Sequence, residues 1–293
     1  MLEKIILFRE LHNEAFLFFI FLIFASVGSF LNVVIYRLPK ILDYEWMQDA
    51  EAFLKDKNIK YQKFKYPTKK PNLNGLSHCP QCGTKIPFYY NIPILGWLLL
   101  RGKTACCKNT LPFRYPLVEL IVALLGTYSF ATFDIYYASL ISIVSVLSVS
   151  IFFIDKDNMI IPDSLLFLLF VSILTYTGVS DKLNAIDVLK DMLITFAIFY
   201  GFSTAYEKIR GFNGMGFGDI KLISMMTGLI GLIYLPVFML VSVFAFIGML
   251  LLGTVSKNEE RFKDTNGTIP FGPAIVTAGL LMIFLEKYLK YIY

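Results

Sequence analysis

The amino-acid sequence predicts an all-α polytopic membrane protein with about eight transmembrane helices and a polar insertion between the first two. Two observations support this fold class. Hydrophobic residues occupy 56% of the 293 positions, whereas soluble domains contain about 45–50% apolar residues. Uncharged runs of about 20 residues, the length that crosses a bilayer, recur along the chain. The lipid bilayer is therefore an expected partner.

The predicted helices follow one another with short connections, except for one long insertion. Helix one is expected over residues 15–36, and the polar residues 37–114 contain all four cysteines. The run from Leu222 to Ser256 carries no charge and is too long for one span. Pro236, with two glycines before it, is expected to divide this run into two helices. Further helices are predicted at about 115–133, 135–154, 164–176, 188–206 and 270–286.

Lys and Arg residues near the helix ends predict the orientation, because cytoplasmic loops are enriched in both. Under the eight-helix count, most internal basic residues fall on the side of the insertion. The chain then divides into residues 1–36 with the first helix, a cytoplasmic insertion at 37–114, and a seven-helix core at 115–293. No stripe of aromatic and basic residues suited to nucleic acid is visible, so no nucleic-acid partner is expected.

Two aspartates are expected to meet on the cytoplasmic side. Asp155 closes the third predicted helix, and Asp219 opens the sixth within the stretch GMGFGDIK. An ionisable residue at the mouth of a membrane helix is costly, and it indicates function when a partner can be named. Two close carboxylates cannot both ionise cheaply, so one could act as a general acid and the other as a general base.

The residues around Asp219 have both a functional and a structural interpretation. Three glycines are expected to permit positive φ and to let a substrate backbone approach closely, and an extended substrate could add as a strand there. Lys221 and Asp163 are further candidates for this approach. An aspartate at a helix start is commonly only an N-cap, and this alternative applies to Asp219 and to Asp163 after Pro162. The glycines are Gly214, Gly216 and Gly218.

The cysteines are spaced as Cys79-x-x-Cys82 and as the adjacent pair Cys106-Cys107. In a reducing cytoplasm this pattern favours metal binding over disulfides. Four thiolates would complete a tetrahedral zinc site, whose role would be to hold a poorly apolar insertion together. Two other polar residues, Asn32 and Glu119, lie near helix ends and could either hydrogen-bond within the bundle or contact substrate.

These residues carry a family resemblance that covers nearly the whole chain. GMGFGDIK resembles the GxGD motif of the type IV prepilin peptidases, the leader peptidase/N-methyltransferases of type IV pilus and type II secretion systems. DKDNMIIPD at 155–163 is similar to the family's D-x5-IPD segment. Further stretches agree in the same order, namely GSFLNVVIYRLP at 28–39, Trp46, CPQCG at 79–83, NIPILGWLLLRGK at 91–103 and RYPLVEL at 114–120.

The resemblance implies an aspartyl endopeptidase of the bacterial inner membrane, with Asp155 and Asp219 as its catalytic residues. Such an enzyme removes the basic leader from prepilins or pseudopilins at the cytoplasmic membrane face. Many members then methylate the new N-terminus with S-adenosylmethionine. This second expectation rests on the resemblance alone, because no glycine-rich cofactor fingerprint is visible.

The insertion departs from the family pattern at one cysteine. The resemblance implies two C-x-x-C pairs, but Thr104 stands where the third cysteine is expected. Cys107 matches the fourth position, and either Cys106 or His78 could supply the missing zinc ligand.

Three other functions compete with this one. The chain could instead be another kind of GxGD intramembrane protease, one that cuts its substrate inside a helix. A transporter could relay protons through the aspartate pair and would predict inverted repeats. A membrane scaffold with a zinc domain would leave both aspartates dispensable.

Overall fold

The fold is given by a computed structural model that describes residues 2–62, 66–67, 70–73, 75, 79, 82–179, 183–212, 214–253 and 269–289. The side chains of Leu2, Phe88 and residues 286–289 are outside this description. The described residues form helices and no strand, apart from one isolated bridge between Lys103 and Thr110. The predicted all-α class is therefore confirmed.

Ten α-helices are found among the described residues. Two short 3-10 turns, Phe88–Asn91 and Leu232–Tyr234, precede α3 and α9. The helices are α1 (Leu2–Leu11), α2 (Asn13–Asp56), α3 (Leu95–Leu99), α4 (Arg114–Thr132), α5 (Ile135–Asn158), α6 (Asp163–Val179), α7 (Ala185–Arg210), α8 (Phe217–Ile230), α9 (Leu235–Leu251) and α10 (Gly272–Leu289).

Several of these helices have the length and composition of membrane spans. In the described part of the chain, four segments are long and apolar enough to cross a bilayer, and two shorter helices are also apolar. The protein is therefore a polytopic membrane protein. The four segments are Asn13–Asp56, Arg114–Thr132, Ile135–Asn158 and Leu232–Leu251.

The predicted break within residues 222–256 is found where the sequence places it. Helix α8 ends at Ile230, and Gly231 has φ 95°, a left-handed conformation that glycine adopts without a steric cost. Pro236 lies in the first turn of α9, where its missing N–H needs no partner. Glycine and proline therefore end one helix and begin the next.

Helix α2 differs from the prediction because it does not end near residue 36. It continues through Pro39 to Asp56. Most residues between Pro39 and the end of the helix are good helix formers such as Ala, Leu, Glu and Lys, and this propensity outweighs the one backbone hydrogen bond that proline removes. Hydropathy predicted the apolar part of this helix and missed its polar extension.

The chain folds as two compact units, Met1–Thr127 and Tyr128–Tyr293. In the first unit, α2 and α4 pack side by side in opposite directions. Their contact uses small residues, since a Cβ atom on Gly28 would lie 2.7 Å from Glu119 Cα, and close backbone approach is typical of membrane helix pairs. Three contacts follow one another along both helices, pairing Phe24 with Gly126, Gly28 with Glu119, and Asn32 with Tyr115.

The second unit is built around α5, whose candidate span is 72% buried inside the protein. Helix α8 contacts α6 and α10, and α5 contacts the same two helices. One end of this unit holds the contacts Asp155–Gly272 and Asp163–Lys221. The other end holds the contacts Tyr137–Tyr176 and Asp191–Leu232. The end of α5 and the starts of α6, α8 and α10 therefore lie together.

The close approach at Gly28 generates a test of the first unit. We expect Gly28→Ala to lower the free energy of unfolding by about 1–3 kcal/mol, because the new methyl group meets the backbone of α4. The measurement is the unfolding midpoint of the purified protein in detergent. Gly248→Ala in α9 is the matched control, because no described heavy atom lies within 4 Å of the added Cβ. A Gly28→Ala midpoint equal to that of the control would contradict the packing.

Candidate functional site

Asp155 lies in the last turn of α5 and is only 5% exposed. Its Oδ2 atom accepts a hydrogen bond from the backbone N–H of Gly272 at 3.0 Å. Gly272 is the first residue of α10, so this N–H has no partner within its own helix. Helix α5 ends just beyond Asp155, because Met159 adopts φ 57° and donates its N–H to the Asp155 carbonyl oxygen at 2.8 Å.

Asp219 lies in the first turn of α8 and is half-buried. Gly216 is the N-cap of this helix, and its backbone N–H hydrogen-bonds to the Asp219 carboxylate. This contact is one half of a capping box, in which a side chain of the first turn reaches back to the N-cap. Both aspartates are thus held by backbone N–H groups at helix starts.

The two predicted aspartates are close enough to interact electrostatically. Ile161 packs beside both of the helix starts that hold them. A Cβ atom on Gly218 would lie 2.9 Å from Ile161 Cβ, and one on Gly272 would lie 3.2 Å from Ile161 Cδ1. The pair therefore forms a compact acidic site in which one carboxyl group can donate a proton while the other accepts one.

The glycines near Asp219 act through their small size and not through unusual backbone angles. The expectation of positive φ is wrong for Gly216, which has φ −63°, and for Gly218, which lies inside α8. A Cβ atom on Gly216 would lie 3.0 Å from Asp219 Oδ2, and one on Gly214 would lie 2.7 Å from Tyr206 Cδ1. A side chain at Gly216 would crowd the carboxylate, and one at Gly214 would crowd the Tyr206 ring.

Lys221 and Asp163 form an ion pair at the same end of the second unit, with 2.6 Å between Lys221 Nζ and Asp163 Oδ1. Asp163 is the first residue of α6, and the carbonyl oxygen of Pro162 accepts the first helical hydrogen bonds from Leu165 and Leu166. Asp163 is therefore not the N-cap that the sequence suggested as its structural role. Its carboxylate instead links the starts of α6 and α8.

Gly272 is a site residue that the sequence interpretation missed. A Cβ atom at this position would lie 2.6 Å from Asp155 Oδ2, so only glycine permits the observed contact. The signal was available in Phe271-Gly272-Pro273, because glycine followed by proline is typical of a helix start. The eight-helix count also placed this start on the same side as the two aspartates.

The four cysteines of the first unit form a separate cluster. Their Sγ atoms all lie within 4.8 Å of one another, with Cys79 3.5 Å from Cys107 and Cys82 3.3 Å from Cys106. All four are free thiols. Tetrahedral zinc with Zn–S bonds of about 2.3 Å holds sulfur atoms about 3.8 Å apart. The cluster therefore has the donors and the spacing of a four-thiolate metal site.

Two similar turns present these cysteines. In the first, Cys79 N–H donates to Thr84 O and Gly83 N–H donates to Cys79 O. In the second, Thr104 N–H donates to Asn109 O and Lys108 N–H donates to Thr104 O. Thr104 thus occupies the position equivalent to Cys79, and Lys108 with φ 55° matches Gly83 with φ 70°.

Cys106 supplies the sulfur that Thr104 lacks. It reaches the cluster from the residue next to Cys107, whereas the Thr104 hydroxyl lies 3.2 Å from Cys107 Sγ. The hydrogen bond with Thr84 lowers the pKa of the Cys82 thiol to about 6, and the hydrogen bond with Cys82 raises the pKa of Cys106 to about 12. A low thiol pKa favours the thiolate that binds metals. His78 lies outside the described residues.

The fold is that of a membrane protein with two neighbouring acidic side chains, and comparisons with known proteins specify the family. Residues 22–133 match the Bacterial Peptidase A24 N-terminal domain, and residues 141–253 match the Type IV leader peptidase family. No solved structure matches the chain.

Curated relatives align with most of the chain. Three of them, from different bacteria, are all named prepilin leader peptidase/N-methyltransferase. The relative from Aeromonas hydrophila is 32% identical over 93% of this chain and 92% of its own length. The relative from Pseudomonas aeruginosa is 33% identical over 93% and 91%, and that from Neisseria gonorrhoeae is 31% identical over 87% and 86%. The chain therefore belongs to the prepilin leader peptidase/N-methyltransferase family.

The closeness of the two carboxylates predicts a stability effect. We expect Asp155→Asn and Asp219→Asn each to raise the free energy of unfolding by about 0.5–2 kcal/mol, because each replaces a buried ionisable carboxyl group with a neutral amide. The measurement is the unfolding midpoint at neutral pH. Asp134→Asn is the control, because Asp134 caps the opposite end of α5 by accepting the Tyr137 N–H, and asparagine caps equally well. A lower midpoint for both site variants would show that the carboxylates stabilise the fold.

Proposed function

We propose that this protein is a membrane aspartyl endopeptidase that removes the basic leader peptide from type IV prepilins and pseudopilins. Asp155 and Asp219 are its catalytic residues. The observation that carries this proposal is the acidic pair at one end of the second unit, in a chain of the prepilin leader peptidase/N-methyltransferase family. Peptide hydrolysis by two carboxylates needs no serine, cysteine or metal nucleophile.

In this proposal the pair shares one proton. The protonated carboxyl group polarises the scissile carbonyl, and the ionised one accepts a proton from the attacking water. The Gly272 N–H orients the Asp155 carboxylate, and the Gly216 N–H orients the Asp219 carboxylate. These hydrogen bonds fix the direction in which each carboxyl group faces the substrate. The carboxyl group that took a proton from water then gives it to the leaving amine. The pair therefore ends the reaction with the one proton that it held at the start.

The substrate would approach along the helix starts next to Asp219. Gly214 and Gly216 are exposed there, so an extended backbone could lie close to the chain beside Asp219. Lys221 and Asp163 lie beside this approach, and the Asp163 side chain is 76% exposed. A basic residue of the leader peptide could replace Lys221 as the partner of this exposed carboxylate.

We place this site at the cytoplasmic face of the bacterial inner membrane. Eight spans, formed by α2 and α4–α10, bring the end of α5 and the starts of α6, α8 and α10 to one side. The contacts among these ends within the second unit support that arrangement. The basic residues favour the same side as the insertion 37–114, which would be cytoplasmic.

We also propose two bound groups. Zinc would be held by Cys79, Cys82, Cys106 and Cys107, and it would stabilise the insertion without entering the hydrolysis. S-adenosylmethionine would donate a methyl group to the new N-terminus of the cleaved protein. The second proposal is supported by the names of the relatives, which include N-methyltransferase.

Leader removal tests the aspartyl mechanism directly. We expect Asp155→Asn and Asp219→Asn each to lower the cleavage rate of a purified prepilin by at least about 10²–10⁴-fold, because each removes a general acid or base. Cleavage is followed by the mass of the product. Asp134→Asn should cleave at the wild-type rate. Near-normal cleavage by either site variant would exclude the mechanism, and a scaffold or transporter would then be the better interpretation.

A rescue experiment tests the zinc site. We expect wild-type protein to retain about one zinc per chain after dialysis against a weak chelator, and Cys106→Ser to lose it, because three thiolates bind less tightly than four. Adding Thr104→Cys to Cys106→Ser should restore zinc, since Thr104 occupies the position equivalent to Cys79. Metal content is measured by mass spectrometry. Full zinc retention by Cys106→Ser alone would contradict the assignment of Cys106.

A further inference from the structure

The short helix α3 in the first unit has two unlike faces. Gly96 and Trp97 line a cavity of about 980 Å³, which residues of α2 and α4 also border. The opposite face carries three large apolar side chains that are exposed, Leu99 by 72%. Their spacing of i, i+3 and i+4 places them on one side of the helix. They are Leu95, Leu98 and Leu99.

Phe113 adds an aromatic ring beside α3. It is 64% exposed, and its ring meets that of Trp97 edge to face with 5.6 Å between the centroids. We call Phe113 and the three exposed leucines of α3 the apolar surface. Large apolar side chains that are exposed together mark a site of contact with a membrane or with another protein.

Two hydrogen bonds hold α3 beside the start of a membrane-spanning helix. The Ile94 N–H, just before α3, donates to Glu119 Oε2 at 2.6 Å. Glu119 lies in the second turn of the candidate span α4, about 7 Å along the axis from the first residue. At the other end of α3, Trp97 Nε1 donates to the Leu111 carbonyl oxygen at 3.3 Å. Helix α3 therefore lies at the level where α4 enters the bilayer.

The backbone of this segment is suited to apolar surroundings, in which an unpaired N–H group is costly. Ile94 has φ 61° and ψ −51°, a strained γ-turn geometry that leaves its N–H directed at Glu119. The N–H groups of Gly96, Leu98 and Leu100 each donate to the carbonyl oxygen four residues earlier. These N–H groups therefore need no hydrogen bond from water.

The chain around α3 is basic. Residues 85–114 include five Lys or Arg residues and neither Asp nor Glu. Arg101 and Lys103 follow α3 closely and are exposed. Long basic side chains can cross an apolar layer and place their charge among lipid headgroups. An apolar face bordered by basic residues is typical of segments that lie in the membrane interface. The five residues are Lys85, Arg101, Lys103, Lys108 and Arg114.

We propose that the apolar surface is an interfacial membrane segment, inserted among the phospholipids that surround the start of α4. Its side chains contact the acyl chains just below the headgroups, while Arg101 and Lys103 reach the lipid phosphates. Continuity with α4 and the basic border favour lipid over a protein partner. The inference goes beyond the proposed peptidase function, and it assigns part of the insertion 37–114 to the bilayer whichever side of the membrane holds that insertion.

Tryptophan fluorescence tests this depth. Full-length protein is reconstituted in vesicles of phosphatidylethanolamine and phosphatidylglycerol, to which phosphatidylcholine brominated either near the headgroup or near the acyl end is added. Leu99→Trp is made in a Trp46→Phe background, and the signal of that background is subtracted. We expect bromines near the headgroup to quench the added fluorescence at least about twofold, and deeper bromines to quench it less, because interfacial residues reach only about 5–10 Å into the boundary.

Phe53→Trp in the same background is the matched control. Phe53 is also a large exposed apolar residue, but it lies near the end of α2, about 30 Å along the helix from Asn32. Asn32 bonds to the Tyr115 carbonyl oxygen and so marks the level at which α4 starts. We therefore expect brominated lipid to leave the fluorescence of this control unchanged.

The unfolding midpoint reports that each variant is folded, and Leu98→Trp repeats the measurement at a second position of the same face. If brominated lipids quench the two leucine variants no more than the control, the proposal is wrong. Strong quenching by acrylamide would then show that the face lies in water. Quenching by neither reagent would show that protein covers it, such as a second copy of this chain. Both results would leave the peptidase proposal unaffected.

Discussion

Burial of the Asp155 carboxylate is the constraint on which the second unit depends. A carboxylate removed from water must receive hydrogen bonds from the protein, because isolated charges are costly in a low-dielectric interior. The donor is the free N–H at the start of α10, and the contact is close enough that only glycine fits at position 272. Helix α5 must also end near Asp155, which the left-handed Met159 accomplishes. The positions of two helix ends thus follow from one buried group.

In the first unit, the buried carboxylate of Glu119 also receives a backbone hydrogen bond. Here the donor is the N–H of Ile94, which reaches the carboxylate from a strained turn between α3 and the preceding 3-10 turn. The contact between Gly28 and Glu119 brings α2 and α4 close together, and Asn32 bonds to α4 one turn further along. The close contact between α2 and α4, the strained turn at Ile94 and the buried Glu119 side chain therefore all lie at the wall of one cavity. Such costly arrangements persist where function requires them.

Hydropathy and helix-breaking residues predicted most of the fold. Each of the eight predicted segments contains a helix among the described residues, and Gly231 with Pro236 divides the long uncharged run as expected. The extension of α2 through Pro39 was missed, because a proline followed by charged residues normally indicates a helix end. The positive φ expected at Gly216 was also wrong, because glycine at that position serves close packing and not backbone conformation.

The sequence by itself determined the helical class, the identity of the acidic residues and the cysteine pattern, since each depends on local composition or short spacing. Only the tertiary structure showed that Gly272, 117 positions from Asp155, donates to it. It also showed that Cys106 joins the cluster while Thr104 keeps the position equivalent to Cys79, and that Asn32 and Glu119 face one cavity. The physical reason is that hydrogen bonds and metal-site geometry depend on contacts between distant segments, which local periodicity does not encode.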